Sequence, residues 1–186
     1  MFSKVLTLVL VGFMGERSSE AKVFLSLSEA LAQAFPAPQC QVKTENRYLT
    51  EAEAKQAQEL SGERTPSALV VRYLATCGGK AAGRAYTDTH RVRTHPESLF
   101  VVLDASGRVR KIEVLSFDEP LEYMPRAEWY ETFNQVPLGN DLQVRQKIPF
   151  VTGASLTSQA TVKAARRVLA LDQILSAPPQ APFKAK

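Results

Sequence analysis

Two tight-turn signals divide the middle of the chain into strand-like segments, and they constrain the fold more than any other feature. Gly78-Gly79 separates "SALVVRYLAT" from "KAAGRAYTDTHRV", and Ala105-Ser106-Gly107 separates "SLFVVLD" from "VRKIEVLSF". Short glycine-containing turns between runs of branched apolar residues are typical of β-hairpins. The pattern predicts an antiparallel meander rather than βαβ units, which need a long crossover between parallel strands.

Helical patterns flank this meander. The stretch "VFLSLSEALAQAF" has apolar residues at helical spacing, and either Ser26 or Ser28 can cap it. After a short predicted strand at residues 40–48, Thr50 precedes a polar helix, and Glu53 three positions later completes a capping box. Pro125 suits the first turn of a short helix over residues 125–133.

A long helix is predicted to run to about Leu175, with apolar residues on one side and basic residues on the other. The apolar side comprises Val162, Ala165, Val168, Leu169 and Leu175, and the polar side comprises Lys163, Arg166 and Arg167. Together the elements predict an α+β fold, in which helices pack on an antiparallel sheet of about four to five strands.

The N-terminus has the layout of a secretory signal peptide over residues 1–21. Lys4 is followed by an apolar run to Met14, and small residues Ser19 and Ala21 suit a cleavage site. The run is too short for a stable membrane anchor, and a buried first helix or strand is the alternative. We divide the rest into an N-terminal extension (22–66), a principal domain (67–175) and a disordered proline-rich tail (176–186).

The charge and the cysteine content exclude only a few classes of function. The net charge is +4, and the basic residues are scattered without interleaved aromatics, which argues against a nucleic-acid surface. Cys40 and Cys77 are too few and too far apart for a metal motif, so they form either a disulfide or two separate thiols. His90 and His95 suit surface or hydrogen-bonded positions better than metal ligation.

Hydroxyl residues crowd the start of the last helix, in "VTGASLTSQAT". Thr157 or Ser158 can cap the helix, which is one explanation. The other is an anion site, because free N–H groups and the helix dipole favour negative charge at a helix N-terminus. The spacing fits neither a Walker A loop, nor a dinucleotide-binding glycine motif, nor a serine-hydrolase elbow.

The stretch Thr152-Gly153-Ala154-Ser155, with Thr157 two places later, resembles the flavinylation motif of the FMN-binding domain family. Members of that family occur in the sodium-pumping NADH:quinone oxidoreductase and in the Rnf electron-transport complex. The helix "QATVKAARRVLAL" and the upstream hairpin "FVVLDASGRVRKIEVLSFDEP" extend the resemblance, which covers residues 67–175. The chain is similar to small, exported, single-domain members.

The resemblance implies that a separate flavin transferase moves FMN from FAD onto a hydroxyl of the motif through a phosphoester. The modified residue is the fourth of the motif, Ser155, with Thr157 as the second choice. Thr152, Gly153 and Ala154 complete the motif. The resemblance also implies a flavin-bordering segment, comprising Glu119, Pro120, Leu121 and Tyr123.

Two positions depart from the family pattern: Pro149 replaces the usual aspartate before the motif, and Ser155 replaces the usual threonine.

Tyr123 and Trp129 are candidates for stacking on the isoalloxazine ring. For Trp129 and Phe133 a position in the core is the favoured interpretation. His95 and Glu97 lie in a segment that can approach the ring, although a surface turn set by Pro96 is favoured.

The chain is thus expected to be an exported, periplasmic or otherwise extracytoplasmic electron carrier with covalent FMN, rather than an enzyme with its own turnover. Its expected partners are the flavin transferase and redox proteins or a membrane electron-transport complex, with no nucleic acid. Two alternatives remain: a binding or assembly module that is not flavinylated, and a sensor that binds FMN without a covalent bond.

Overall fold

A computed structural model describes residues 22–177 as an antiparallel sheet with helices on both faces. Residues 1–21, assigned above to a signal peptide, lie outside the described residues, as do residues 178–186 of the assigned tail. Both assignments remain predictions. Within residues 22–177, none of the helices combines the length and the apolar character needed to cross a membrane.

The sheet has six strands in the spatial order β1-β6-β5-β4-β3-β2, and every neighbouring pair is antiparallel. The strands are β1 (Lys22–Val23), β2 (Cys40–Tyr48), β3 (Leu69–Cys77), β4 (Lys80–Arg91), β5 (Pro96–Asp104) and β6 (Val109–Phe117). This confirms the meander and the α+β class. The count exceeds the expected four to five because β1, with two residues, is too short to leave a periodic pattern.

Four α-helices accompany the sheet: α1 (Leu27–Ala34), α2 (Glu51–Ser61), α3 (Ala127–Tyr130) and α4 (Ser155–Ser176). The first two begin at complete capping boxes. Ser26 pairs with Glu29, and Thr50 pairs with Glu53, so that each side chain accepts from the other residue's backbone N–H. Caps of this kind stabilise a helix by about 1 kcal/mol each. Ser26 rather than Ser28 is therefore the cap of α1.

The prediction of a single helix over residues 125–133 is wrong. Two 3-10 turns, Leu121–Tyr123 and Glu131–Phe133, stand on either side of the four-residue α3. The residue before a proline avoids the helical region, and Met124 is accordingly extended. Arg126 is also extended, with ψ 157°, so the helix begins only at Ala127.

Strand β5 lies at the centre of the sheet and is buried on both faces. Leu99, Val101 and Leu103 face one cluster with α4, while Phe100 and Val102 face a second cluster with α1. These five side chains have no exposed surface. Because α4 lies against this central part of the sheet, its N-terminal end is held in a fixed position relative to the strands.

Arg167 does not lie on a solvated face of α4, as its helical spacing suggested. It is buried, and its guanidinium bonds to the carboxylate of Asp88 on β4. Arg166 also leaves the expected polar face, because it donates to the backbone carbonyls of Ser61 and Gly139. Partners on other elements, which are distant in sequence, thus redirect two of the three basic residues.

Cys40 and Cys77 form a disulfide, which settles the alternative left open by the sequence. The two residues lie directly opposite each other in the register of β2 and β3. The bond links the edge strand β2, which belongs to the N-terminal extension, to the meander. Residues 22–66 therefore contribute two strands, β1 and β2, to the same sheet as residues 67–117.

Candidate functional site

The segment before α4 turns sharply at Gly153 and enters the helix without a side-chain cap. Gly153 has φ +86°, a left-handed conformation that glycine adopts far more readily than other residues. Ala154 is the N-cap residue, and its methyl group cannot accept a hydrogen bond. Ser155 is the first helical residue. The motif thus forms the turn and the first position of the helix.

The expected capping role of Thr157 and Ser158 is wrong. The helix begins before both residues, so their side chains lie inside its first turn, where they cannot cap it. The Thr157 hydroxyl donates instead to the backbone carbonyl of Tyr123, and the Ser158 hydroxyl donates to the backbone carbonyl of Ala154 at 2.8 Å. Both side chains are buried. The hydrogen bonds of these two hydroxyls therefore stabilise the fold.

The hydroxyls of Thr152 and Ser155 have no such partners. Thr152 is exposed and Ser155 is partly buried, and neither side chain bonds to another of the residues 22–177. Of the motif's hydroxyls, Ser155 is therefore the one that combines a free side chain with a place on the helix itself. The structure separates it clearly from Thr157, the second choice.

Free backbone N–H groups surround the Ser155 hydroxyl. The N–H groups of Ser155, Leu156 and Thr157 lie in the first turn and have no intrahelical acceptor, while the N–H of Ser158 already bonds to Ala154. The helix dipole places partial positive charge at the same point. The uncapped end thus offers donors and positive potential to an anion.

A small cavity of about 120 Å³ opens beside this end, lined by Arg93, Tyr123 and residues 153–157. The Arg93 guanidinium lies over the Tyr123 ring, 5.0 Å from its centroid. A Cβ added to Gly153 would meet no heavy atom within 4 Å, so space is open on that side. A phosphate group fits the chemistry of these residues.

Glu119, an expected flavin-bordering residue, has its carboxylate directed at the backbone. One oxygen accepts the N–H groups of Arg93, Thr94 and His95 at 3.1, 2.7 and 2.9 Å. Burial opposes ionisation, but these hydrogen bonds outweigh it and hold the pKa of Glu119 below its ordinary value. The carboxylate therefore fixes the turn between β4 and β5, which carries Arg93.

The other residues of the expected flavin-bordering segment lie close to the surface. Pro120 and Leu121 are exposed, and Tyr123 is partly buried at the cavity. Leu121, Phe150 and Leu156 are among the most exposed large apolar side chains of the described residues. Leu121 precedes Tyr123 at the cavity, Phe150 precedes the turn at Gly153, and Leu156 lies in the first turn of α4. An aromatic ring system can contact such side chains.

Trp129 and Phe133 are core residues, as the favoured interpretation had it. Their rings meet edge to face, with centroids 5.3 Å apart, and Phe133 has no exposed surface. The indole N–H of Trp129 donates to the backbone carbonyl of Pro149 at 2.9 Å. Trp129 therefore anchors the start of the motif loop from inside the fold.

His95 and Glu97, adjacent to Pro96, take opposite positions. His95 is exposed on the surface turn, whereas Glu97 is completely buried. The His90 ring lies between Glu97 and Asp88, with its Nε2 2.9 Å from Glu97 and its Nδ1 2.8 Å from Asp88. With Arg167, these form a buried ionic cluster between β4, β5 and α4.

This cluster was not predicted from the sequence. The signal that could have indicated it is the alternation of Asp88 and His90 along a strand, which places both side chains on one face. No group of His, Cys, Asp and Glu side chains among residues 22–177 has an arrangement that could hold a metal ion.

Comparison with known proteins bears on the site directly. Residues 95–170 match the family model of the FMN-binding domain. The matched range includes Glu119, Tyr123, the motif turn and most of α4, which together form most of the cavity and its support. No curated protein and no solved structure matches the chain.

Proposed function

We propose that the chain is an exported electron carrier with FMN esterified to Ser155, because residues 95–170 match the family model of the FMN-binding domain. FMN supplies the redox chemistry, since it takes up and releases one or two electrons. The chain supplies the attachment point, the anion site and the surroundings of the ring. The proposal gives it no substrate turnover of its own.

The assignment of the FMN attachment to Ser155 rests on the surroundings of its hydroxyl group. It is free of hydrogen bonds within residues 22–177 and stands at the uncapped end of α4. Thr157 is buried, and its hydroxyl already donates to Tyr123. Attachment at Thr157 requires breaking that bond and displacing the first turn of the helix, which favours Ser155.

The attachment reaction accounts for the lack of a nearby base in sequence. The Ser155 oxygen attacks the phosphorus of FAD that carries the ribityl chain. A P–O bond to that serine forms, the P–O bond to the AMP moiety breaks, and AMP leaves. The transferase accepts the hydroxyl proton, so this chain needs no base of its own. The free N–H groups of the first turn then face the phosphodiester.

Export rests on residues 1–21 and has support from the disulfide. Structural disulfides persist mainly in oxidising compartments such as the bacterial periplasm, and Cys40–Cys77 joins two paired strands. An extracytoplasmic location also suits the proposed partners, which are a flavin transferase and redox proteins or a membrane electron-transport complex.

Intact mass spectrometry after co-expression with a flavin transferase tests the proposal. We expect an increase equal to FMN less one water, located on the peptide that contains Ser155, and flavin that stays bound after denaturation. Ser155→Ala should abolish the adduct. Thr157→Val, which removes a hydroxyl of the same motif, should keep it. An adduct that persists in Ser155→Ala and disappears in Thr157→Val would contradict the assignment to Ser155.

Pro149 favours a second candidate, a module that is not flavinylated or that binds FMN reversibly. It stands where the family usually carries aspartate before the motif. Its carbonyl accepts the Trp129 indole N–H, so a change of side chain leaves this anchor in place. An unmodified protein with an active transferase would support this candidate, and flavin released on denaturation would identify reversible binding. Pro149→Asp should then restore the adduct if transferase recognition was the missing step.

A further inference from the structure

The turn between β4 and β5, which carries Arg93, has a backbone held by several hydrogen bonds. Three successive backbone N–H groups of this turn bond to Glu119, and the N–H of Val92 donates to the His95 carbonyl at 3.1 Å. A turn held by four hydrogen bonds has little freedom to move its backbone. Glu119 therefore fixes the backbone from which the exposed Arg93 side chain projects, although the two side chains do not form an ion pair.

The Arg93 guanidinium lines the cavity at the uncapped end of α4. It lies over the Tyr123 ring, and the Tyr123 carbonyl accepts the hydrogen bond of the Thr157 hydroxyl from the first turn of the helix. Arg93 and Ser155 consequently line the same cavity. Within residues 22–177 the guanidinium forms no salt bridge and no side-chain hydrogen bond, so its donors are free.

Two independent sources of positive potential thus meet at one point. The N–H groups of the first turn reach the cavity from the helix, and a guanidinium reaches it from the β4–β5 turn. Guanidinium groups bind phosphate oxygens through paired, charge-assisted hydrogen bonds. At about 120 Å³ the cavity is far smaller than the roughly 300–1,000 Å³ of pockets that enclose whole ligands. It suits a phosphate and is too small for a flavin ring.

We propose that Arg93 binds the phosphodiester that links FMN to Ser155, with Tyr123 as the platform that holds the guanidinium in place. This inference rests on the proposed function. It changes the expected role of two residues of the flavin-bordering segment. Tyr123 supports the arginine, and Glu119 is a positioning residue that acts through the backbone of the turn.

Arg145 provides a matched control. It is also an arginine that covers an aromatic ring, 4.4 Å from the centroid of Phe150. It lies on the loop that leads to the motif, but it lines a different cavity of about 500 Å³, which includes Gln159 and excludes Ser155. Replacing Arg145 removes the same charge from the same neighbourhood without touching the proposed phosphate site.

The test compares the wild type with Arg93→Gln, Arg93→Lys and Arg145→Gln in the full chain, each incubated with FAD and a flavin transferase. Intact mass gives the rate of adduct formation, and phosphorus NMR of the modified protein reports the surroundings of the diester.

We expect Arg93→Gln to slow attachment about tenfold, the effect of one lost charge-assisted contact, and to shift the phosphorus resonance. Arg93→Lys should recover part of the rate, because it keeps the charge but loses the planar fork. Arg145→Gln should match the wild type in both measurements.

The outcomes distinguish a failure of the proposed function from a failure of the role of Arg93. A wild-type chain that gains no adduct overturns the proposed function and this inference with it. A wild-type adduct together with equal rates and equal phosphorus resonances in Arg93→Gln and Arg145→Gln overturns the role of Arg93 alone. Thermal unfolding of the unmodified variants shows whether a slow rate reflects a damaged fold. If Arg93→Gln unfolds at the wild-type temperature, its slow rate supports the phosphate contact.

Discussion

The guanidinium of Arg167 on α4 donates two hydrogen bonds to the carboxylate of Asp88 on β4, at 3.0 and 2.7 Å. Both side chains are buried, and His90 bonds to the same carboxylate. The pair ties the middle of α4 to the sheet. Because the helix carries Ser155 at its N-terminal end, an interaction far from the motif contributes to the position of this proposed attachment residue.

Removing one member of this pair should destabilise the fold strongly. Arg167→Met leaves the Asp88 carboxylate buried without its main partner, and such a loss costs about 3–5 kcal/mol. Urea unfolding measures the change. Lys163→Met is the control, since Lys163 is half exposed and its ion pair with Glu63 should be worth less than about 1 kcal/mol. Equal effects of the two substitutions would show that the buried pair has no special role.

The same cluster should make stability depend on pH. Burial lowers the pKa of the His90 imidazole, but hydrogen bonds to Asp88 and Glu97 outweigh it and raise this pKa to about 9. The charged ring therefore stabilises the fold fully below the unfolded pKa of about 6.5, and its contribution is lost as the pH rises through about 9. Arg167, which also faces Asp88, stays charged throughout this range.

We expect the free energy of unfolding in urea to fall between about pH 7 and about pH 10, with a shallower slope in His90→Gln. His95→Gln, at an exposed position two residues from the cluster member Glu97, should keep the wild-type slope. A wild-type slope in His90→Gln would mean that other groups cause the pH dependence.

Gly153 should be needed for its backbone conformation. Its φ of +86° disfavours a side chain, although a Cβ there would contact nothing, so Gly153→Ala should cost about 1–2 kcal/mol of stability. Gly62, the C-cap of α2, has φ +74° and equally open surroundings, so Gly62→Ala should cost a similar amount. Of the two, only Gly153→Ala should slow flavin attachment. A comparable slowing in Gly62→Ala would assign the effect to general stability.

The disulfide should stabilise the fold by limiting the unfolded chain. It closes a loop with a sequence separation of 37 residues, and bonds of this kind contribute about 2–4 kcal/mol. Reductant should therefore lower the urea midpoint of the wild type. The double variant Cys40→Ser, Cys77→Ser should begin at that lower midpoint and show no response to reductant. If reductant lowers the midpoint of the double variant as well, the effect does not come from the disulfide.

Local patterns predicted the features that depend on neighbours in sequence. The capping box at Thr50 and the turn at Gly78-Gly79 involve residues within a few positions and have the predicted structure, and Ser26, one of the two predicted caps, begins α1. The disulfide could not be decided from the sequence, because it depends on the register that places Cys40 opposite Cys77. The same limit applies to Arg167, whose partner Asp88 becomes its neighbour only after α4 packs on the sheet.

At the candidate site, the sequence indicated a segment but not the hydrogen bonds within it. A Ser or Thr near a helix start suggested capping by Thr157 or Ser158, whereas the helix begins at Ser155 and uses both hydroxyls internally. Arg93 was not predicted to be a site residue, since a single arginine in a basic stretch belongs to no recognisable motif. Its significance comes from contacts with Tyr123 and the helix end, which meet only in the folded chain.

The position of Ser155 as the first residue of a 22-residue helix bears on how electrons would reach the FMN proposed to be attached there. The helix is joined to the strands by ion pairs of two of its buried side chains, Arg167 with Asp88 and Asp172 with Arg84. An FMN esterified there hangs from a rigid support rather than from a swinging arm, and its reach is limited to the length of its own ribityl phosphate. Under the proposed function, electron donors and acceptors would therefore have to come to the same face of the domain in turn, so the sequence of encounters between proteins, rather than travel of the flavin, would set the direction of electron flow.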